Sequence, residues 1–190
     1  MNTRRLGLFC MVGGIAYIIS AVYSSIIGDT DMVDLLNKLL NLVWALGAIC
    51  GWLGIIQLRG TGENIIMRFL SFLPIIGLSL ALISSVYGMI TSGSITFTPM
   101  VAIGLMLETV GAVLVGIFAI AARRLSGWHR FVPFFVVLGI VAGGIVSGAS
   151  NGAILGIPLF LGIAYTLLGY AVRTEEKVFA VDQSMKAAPG

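Results

Sequence analysis

Charged residues are scarce in this sequence of 190 residues, in which Asp, Glu, Lys and Arg together supply only 10%. Average soluble domains carry about 25% charged residues. A surface with so few charges would expose large apolar patches to water, which excludes an ordinary soluble globular domain. Hydrophobic residues supply 58% of the chain and glycine adds 25 residues, so we expect lipid to be its main solvent.

Histidine and cysteine are almost absent, with one histidine and two cysteines in the whole sequence. Cys10 and Cys50 both fall in long apolar segments and indicate no disulfide framework. His129 stands beside Trp128, a pair typical of an aromatic and basic anchor at a membrane surface. Because one histidine cannot supply a bis-histidine haem or a histidine-rich zinc site, we predict no metal and no cofactor.

Motifs of common enzyme classes are missing too, since the sequence has no H-E-x-x-H, C-x-x-C or P-loop pattern. We therefore predict a protein that is not an enzyme. An acid–base role of one glutamate together with tyrosines stays open as an alternative.

Six segments are long and apolar enough to cross a membrane, which predicts an all-α integral membrane protein built as a six-helix bundle. A helix rises about 1.5 Å per residue and needs about 20 apolar residues to cross the hydrocarbon. These segments form one domain over residues 1–172, and the polar residues 173–190 predict a disordered cytoplasmic tail. The predicted spans cover residues 6–27, 39–58, 66–90, 100–122, 131–149 and 153–172.

The positions of lysine and arginine predict how the chain is oriented, because positively charged flanks are retained in the cytoplasm. With the N-terminus inside, ten of the 11 cations lie on the cytoplasmic side and only Lys38 lies outside. This bias predicts a cell-membrane protein with both termini in the cytoplasm and the lipid bilayer as its partner. The cations are spread over four separate flanks, so we predict no binding of nucleic acid.

The odd-numbered spans share a weak pattern, Arg-Leu/Phe-x-x-Phe-x4-Gly, that begins at Arg5, Arg68 and Arg130. Its regular recurrence suggests three repeated helical hairpins. The alternative is that an inner arginine, an interfacial aromatic residue and a glycine within the span are common to many unrelated spans. Both interpretations stay open at this level.

Two prolines, Pro74 and Pro158, lie several residues inside the third and sixth predicted spans. Proline removes a backbone hydrogen bond and clashes with the preceding turn of a helix. We therefore expect a kink in each of these two helices.

Small residues form stripes on several predicted spans. Gly139 and Gly143 share one stripe of the fifth span, Gly144 and Gly148 share another, and Gly104 begins a stripe on the fourth. Such residues allow helices to approach closely in lipid. We predict that they pack helices within the bundle. The alternative is a face for another membrane subunit or for a second copy in a homo-oligomer.

Glu108 is the one ionisable residue deep inside a predicted span. A charged group near the bilayer centre is costly, so this carboxyl needs a partner, water or a proton. Gly104 and Ala112 lie one turn away on either side, which predicts that Glu108 faces the bundle interior. Counting depth along the other spans places these partners at its level: Tyr17, Ser20, Trp44, Ser84, Ser85, Tyr165 and Thr166.

Two functions are compatible with these features. The first hypothesis, which we prefer, is a non-enzymatic accessory or assembly subunit of a membrane complex, with Glu108 as a polar contact between helices. The second is a small transporter or membrane ligand-binding protein whose ligand or proton site comprises Glu108, Tyr17, Trp44 and Tyr165.

Overall fold

The computed structural model describes residues 2–27, 31–61, 65–90, 99–123, 125–149 and 156–187, and all regular secondary structure in these ranges is helical. A short 3₁₀ turn, Gly127–Phe131, precedes the sixth helix. The α-helices are α1 (Thr3–Ile27), α2 (Asp31–Gln57), α3 (Ile65–Leu70), α4 (Leu73–Ile90), α5 (Pro99–Ala122), α6 (Val132–Ala149) and α7 (Gly156–Ala187).

Six helical segments are long and apolar enough to cross a membrane, which confirms the predicted number. Their ends agree with the predicted spans to within four residues. The agreement follows because helix length and hydropathy, the two properties that define such a segment, can be read locally along the sequence. The segments are Thr3–Ile26, Leu35–Gln57, Ile65–Tyr87, Pro99–Ala122, Gly127–Ser147 and Gly156–Glu175.

Both prolines lie in the first turn of a helix. The third span is interrupted at residues 71–72, and Pro74 follows in the first turn of α4. The expected kink at Pro158 was wrong, because α7 begins at Gly156 and places this proline in its first turn. Proline is tolerated there, since its missing N–H has no partner within the helix in any case.

Residues 173–187, for which the sequence predicted a disordered tail, continue α7 as a helix to Ala187. Residues 188–190 lie outside the described part of the chain. The physical reason is that extending an existing helix costs far less than starting one. In addition, the Glu175 side chain is buried and held by hydrogen bonds to another part of the chain.

The long helices form a closed ring in the order α1, α2, α4, α5, α6, α7, with α7 packed against α1. Helices consecutive in the chain are neighbours in the ring, and α2 also contacts α7 across it. Short connections and antiparallel packing explain the neighbouring pairs. The contact between the first and last helices closes the bundle.

Glycines make the α1–α7 contact unusually close. A Cβ on Gly7 would lie 2.6 Å from the carbonyl oxygen of Gly169, and one on Gly162 would lie 2.7 Å from that of Gly14. On each helix the two glycines are separated by two turns and so share one face. Neither contact was predicted from the sequence. A signal for them is present, because a glycine recurs after seven residues in both the first and the last span.

Three of the glycines predicted to pack helices lie in close contacts inside the bundle. A Cβ on Gly104 of α5 would lie 2.7 Å from the carbonyl oxygen of Gly77 in α4. Gly139 and Gly143 of α6 lie against the backbone of α7, with corresponding distances of 3.0 and 2.6 Å. At these three positions any side chain would push two backbones apart.

Gly144 differs from these three, because a Cβ there would meet no atom within 4 Å. Packing within the bundle was therefore the wrong prediction for Gly144. Helix α6 turns this position away from both of its neighbours, since its other glycine stripe already faces α7. The surroundings of Gly148 lie outside the described side chains.

The glycines of the suggested hairpin repeat have unequal surroundings. Gly77 faces α5 and Gly139 faces α7, which are the partner helices in their own hairpins. Gly14 instead lies against Gly162 of α7 rather than against α2. The shared sequence pattern thus does not give the glycine the same role in each hairpin.

Candidate functional site

Glu108 lies within α5, and its side chain is only 1% exposed. The small residues around it bring α4 and α5 together. A Cβ on Gly111 would lie 2.7 Å from the backbone nitrogen of Pro74, and Gly104 lies against Gly77. Because α4 occupies this small-residue face at such close range, the carboxyl extends from α5 into the interior of the bundle.

Tyr165 of α7 is the principal partner of this carboxyl. Its hydroxyl donates a hydrogen bond to Oε1 of Glu108 and accepts one from Nε1 of Trp52 in α2, at 3.2 Å. The backbone carbonyl of Tyr165 accepts a bond from Sγ of Cys10 in α1, also at 3.2 Å. This fully buried tyrosine therefore connects polar groups of α1, α2, α5 and α7.

Tyr17 and Trp44 extend the cluster on the other side of Tyr165. The rings of Tyr17 and Trp44 are stacked, with centroids 4.2 Å apart and an interplanar angle of 15°. Trp44 meets Tyr165 edge to face, with centroids 5.9 Å apart. The structure thus brings the four predicted residues Glu108, Tyr165, Trp44 and Tyr17 together in one continuous cluster.

The indole nitrogen of Trp44 is the exception to the hydrogen bonding in this cluster. Trp44 is only 7% exposed, and its Nε1 has no hydrogen-bond partner among the residues that the structure describes. Among the side chains that the structure describes, only Arg130 Nε shares this condition. A buried donor without an acceptor costs about 1–3 kcal/mol, so such groups are rare in folded proteins.

Depth counting also suggested residues that do not join the cluster. Ser20 donates to Asn37 of α2 at 3.0 Å, whereas Ser85 and Thr166 each bond to a carbonyl in their own helix. Sequence reasoning overlooked Trp52 and Cys10. The signal for Trp52 is its position two turns beyond Trp44 on the same face of α2.

A second polar cluster lies about three turns further along α7, around Glu175. Oε1 of Glu175 accepts hydrogen bonds from the backbone N–H of Ser126 at 2.7 Å and from its hydroxyl at 2.5 Å. His129 Nδ1 lies 2.6 Å from the same oxygen. The sequence predicted only an interfacial anchor for His129, and it did not indicate this carboxylate partner.

Within the described side chains, no three His, Cys, Asp or Glu residues are grouped as a metal site would require. Both clusters instead consist of a carboxyl surrounded by hydroxyl, aromatic and backbone donors. Such groups can hold a proton or orient a small polar ligand.

The chain matches no family model, and no curated protein or solved structure is significantly similar to it. The function of the chain is therefore inferred from the geometry of the chain's own residues.

Proposed function

We propose that this chain is a multi-pass protein of the cell membrane, with both termini in the cytoplasm, that binds a small molecule in the cluster of Glu108, Tyr165, Trp44 and Tyr17. The observation that carries the binding proposal is the buried indole N–H of Trp44, which finds no acceptor in the described part of the chain. A ligand that supplies this acceptor would remove an energetic cost that the isolated chain bears.

The membrane orientation is supported by where helix contacts bring the arginines. Gly7 at the start of α1 lies against Arg173, and Ser71 before α4 donates to Thr61 after α2 at 3.2 Å. Gly60 lies against Leu125, which follows α5. These contacts bring to one end of the bundle the segments that carry Arg5, Arg59, Arg68, Arg123 and Arg173. Positively charged ends of this kind are retained in the cytoplasm.

Labelling of single cysteines tests the orientation. With Cys10 and Cys50 replaced by alanine, one cysteine is introduced either at Lys38 or at Arg68. We expect a membrane-impermeant maleimide to label Lys38→Cys on intact cells and Arg68→Cys only after lysis. The reversed pattern would contradict the proposed orientation.

The binding proposal also agrees with the composition of the cluster. Ligand sites are mostly apolar and aromatic, with a few polar groups that orient the ligand. Tyr17 and Trp44 supply aromatic surface, while Glu108 is an intramembrane acid, a residue type that marks functional sites in membrane proteins. The hydroxyl of Tyr165 holds the carboxyl in a defined position.

Native mass spectrometry of protein extracted from its own membrane tests the binding proposal. We expect a discrete small molecule to accompany the wild-type protein and to be lost from Trp44→Phe, which keeps the ring but removes the N–H, and from Glu108→Gln. Trp128→Phe is the matched control, because this tryptophan is exposed outside the cluster. A wild-type protein that carries no such molecule would contradict the proposal.

A second candidate function, an accessory or assembly subunit, is favoured by the outer face of α6. Gly144 lies on this face with open space around it, beside the exposed side chains of Val141 and Ile145. An exposed glycine allows a second helix to approach closely in lipid. The same mass spectra would then show a stoichiometric protein subunit or a second copy, and Gly144→Leu would release it.

A further inference from the structure

Glu175 is a buried carboxylate whose role the binding site does not explain. Its side chain is 1% exposed, and a single oxygen receives two hydrogen bonds from Ser126 and contacts His129. Ser126 and His129 belong to the connection between α5 and α6. The end of the last span is therefore tied to the segment that follows the helix of Glu108.

Tyr165 and Glu175 lie on the same buried face of α7. The residues of this face recur at alternating intervals of three and four, and each is at most 1% exposed. Such spacing places side chains above one another along one side of a helix. The face consists of Leu161, Tyr165, Leu168, Val172 and Glu175.

Helix α2 holds this face of α7 at short range. A Cβ on Gly51 would lie 3.0 Å from Leu168 Cδ2, and one on Gly54 would lie closer still to Val172 Cγ1. Tyr165 and Glu175 are separated by about 15 Å along the helix axis. Because the intervening turns are packed against backbone, a shift at one end cannot be absorbed between the two anchors.

Both anchors connect α7 to α5 or to the connection that follows it, although α6 lies between these two helices in the ring. Tyr165 reaches Glu108 in the middle of α5, and Glu175 reaches Ser126 four residues after α5 ends. Two attachment points on one face define both the rotation of α7 and its position along its axis relative to α5.

We propose that Glu175 is a positioning residue that, through Ser126 and His129, holds the Tyr165 hydroxyl on Glu108 and so couples the α5–α6 connection to the interior cluster. The coupling is a property of the chain itself and does not require a ligand. A disturbance of the α5–α6 connection would alter the Tyr165–Glu108 hydrogen bond through the turns of α7 between Glu175 and Tyr165.

Fluorine NMR of protein labelled with 3-fluorotyrosine in lipid nanodiscs tests this coupling directly. The chain has five tyrosines, and the signal of Tyr165 is assigned as the one missing from Tyr165→Phe. We expect Ser126→Ala and Glu175→Gln to shift the Tyr165 signal, although both changes lie about 15 Å or more from it along the bundle. The readout concerns an atom in the cluster, so loss of a merely local contact would not move it.

Ser79→Ala is the control, because among the described residues the Ser79 hydroxyl donates to a carbonyl of its own helix, that of Ile75, at 2.8 Å. It should leave the Tyr165 signal in place. Ser126→Ala is the mildest variant, because it retains the bond from the backbone N–H. The proposal would be overturned if the Tyr165 signal were unchanged both in Ser126→Ala and in folded Glu175→Gln. This outcome is independent of whether any small molecule accompanies the protein in mass spectra.

A double-mutant cycle provides a second measurement. Changes at sites this far apart normally have additive effects on stability. We expect Ser126→Ala and Tyr165→Phe to be non-additive instead, with an interaction factor in the unfolding equilibrium constant above about threefold. Additive effects of the two changes would contradict the coupling.

Discussion

The two halves of the bundle are built differently. In the most apolar stretches of the spans that contain α1, α2 and α7, 44%, 50% and 50% of the residues are buried. The corresponding shares are 28%, 39% and 28% for the α3–α4 segment, α5 and α6. We call these two groups the tight half (α1, α2, α7) and the loose half (α3 to α6). Glycine pairs bring backbones into contact in both halves, joining α1 to α2 and to α7, and α4 to α5.

The difference between the halves places the candidate site at their boundary. Tyr17, Trp44, Trp52 and Tyr165 all belong to the tight half, and Glu108 alone is contributed by the loose half. Apolar surface provides little drive for association in lipid, so packing density and hydrogen bonds decide which helices hold together. The aromatic residues of the tight half thus bind one carboxyl that belongs to a less tightly packed helix, α5.

Substitution at the α1–α7 contact should have the strongest effect on folding. In Gly14→Val the Cβ would lie 2.5 Å from Thr166 Oγ1 and 2.6 Å from the carbonyl oxygen of Gly162. Because backbone cannot yield here, we expect a loss of about 3 kcal/mol or more, or no folded protein at all. Unfolding of the reconstituted protein, followed by tryptophan fluorescence, measures the loss.

Gly144→Val is the matched control in the loose half, since nothing lies within 4 Å of its Cβ. It should change stability by less than about 0.5 kcal/mol. Equal effects of the two glycine substitutions would mean that the close α1–α7 backbone contact does not restrict the side chain at position 14.

The hydrogen bond across the boundary should contribute less than the glycine contact. Glu108→Leu leaves the hydroxyl of Tyr165 without its acceptor, and we expect a loss of about 1–3 kcal/mol. Glu108→Gln keeps a carbonyl oxygen at the same position and should lose clearly less. The comparison uses the same unfolding measurement, and a Gln variant as unstable as the Leu variant would argue against this role of the hydrogen bond.

Backbone conformation can be tested at two glycines of the loose half that both have open space. Gly127 has φ of +51°, whereas Gly144 lies within α6. Gly127→Ala should therefore destabilise the protein by about 1 kcal/mol, because the left-handed conformation disfavours a Cβ. Gly144→Ala should stabilise it by about 0.5–1 kcal/mol through helix propensity. Thermal unfolding scans that show the same sign for both changes would contradict this assignment.

A polar contact within the tight half should have a small effect. Asn37 of α2 accepts a hydrogen bond from Ser20 and donates one to Ser24 at 2.6 Å, joining α2 to α1. Interhelical hydrogen bonds in membrane proteins contribute about 0.6 kcal/mol each on average, so Asn37→Leu, which removes two of them, should lose about 1 kcal/mol. Thr109→Val, which loses a bond to a carbonyl of its own helix, should give the smallest effect and be neutral in the same unfolding measurement.

Part of the candidate site could be predicted from the sequence. A lone acid in an apolar span must face the interior, and depth counting led from Glu108 to Tyr17, Trp44 and Tyr165. The same counting could not separate Tyr165 from Ser20 or Thr166, because the choice of partner depends on helix rotation. Ser20 bonds to Asn37 instead, and the partner of Glu175 was not indicated by any local pattern.

The amino-acid sequence by itself determined how many segments are long and apolar enough to cross a membrane, and roughly where they begin and end. Hydropathy and the length needed to cross hydrocarbon are local properties that can be read along a single segment. The tertiary structure alone decided that α1 closes the ring against α7, that Tyr165 binds Glu108 57 residues away, and that Gly144 faces outward. The long helices present similar apolar surfaces, so the neighbours and the rotation of each helix are set by close contacts between residues far apart in the chain.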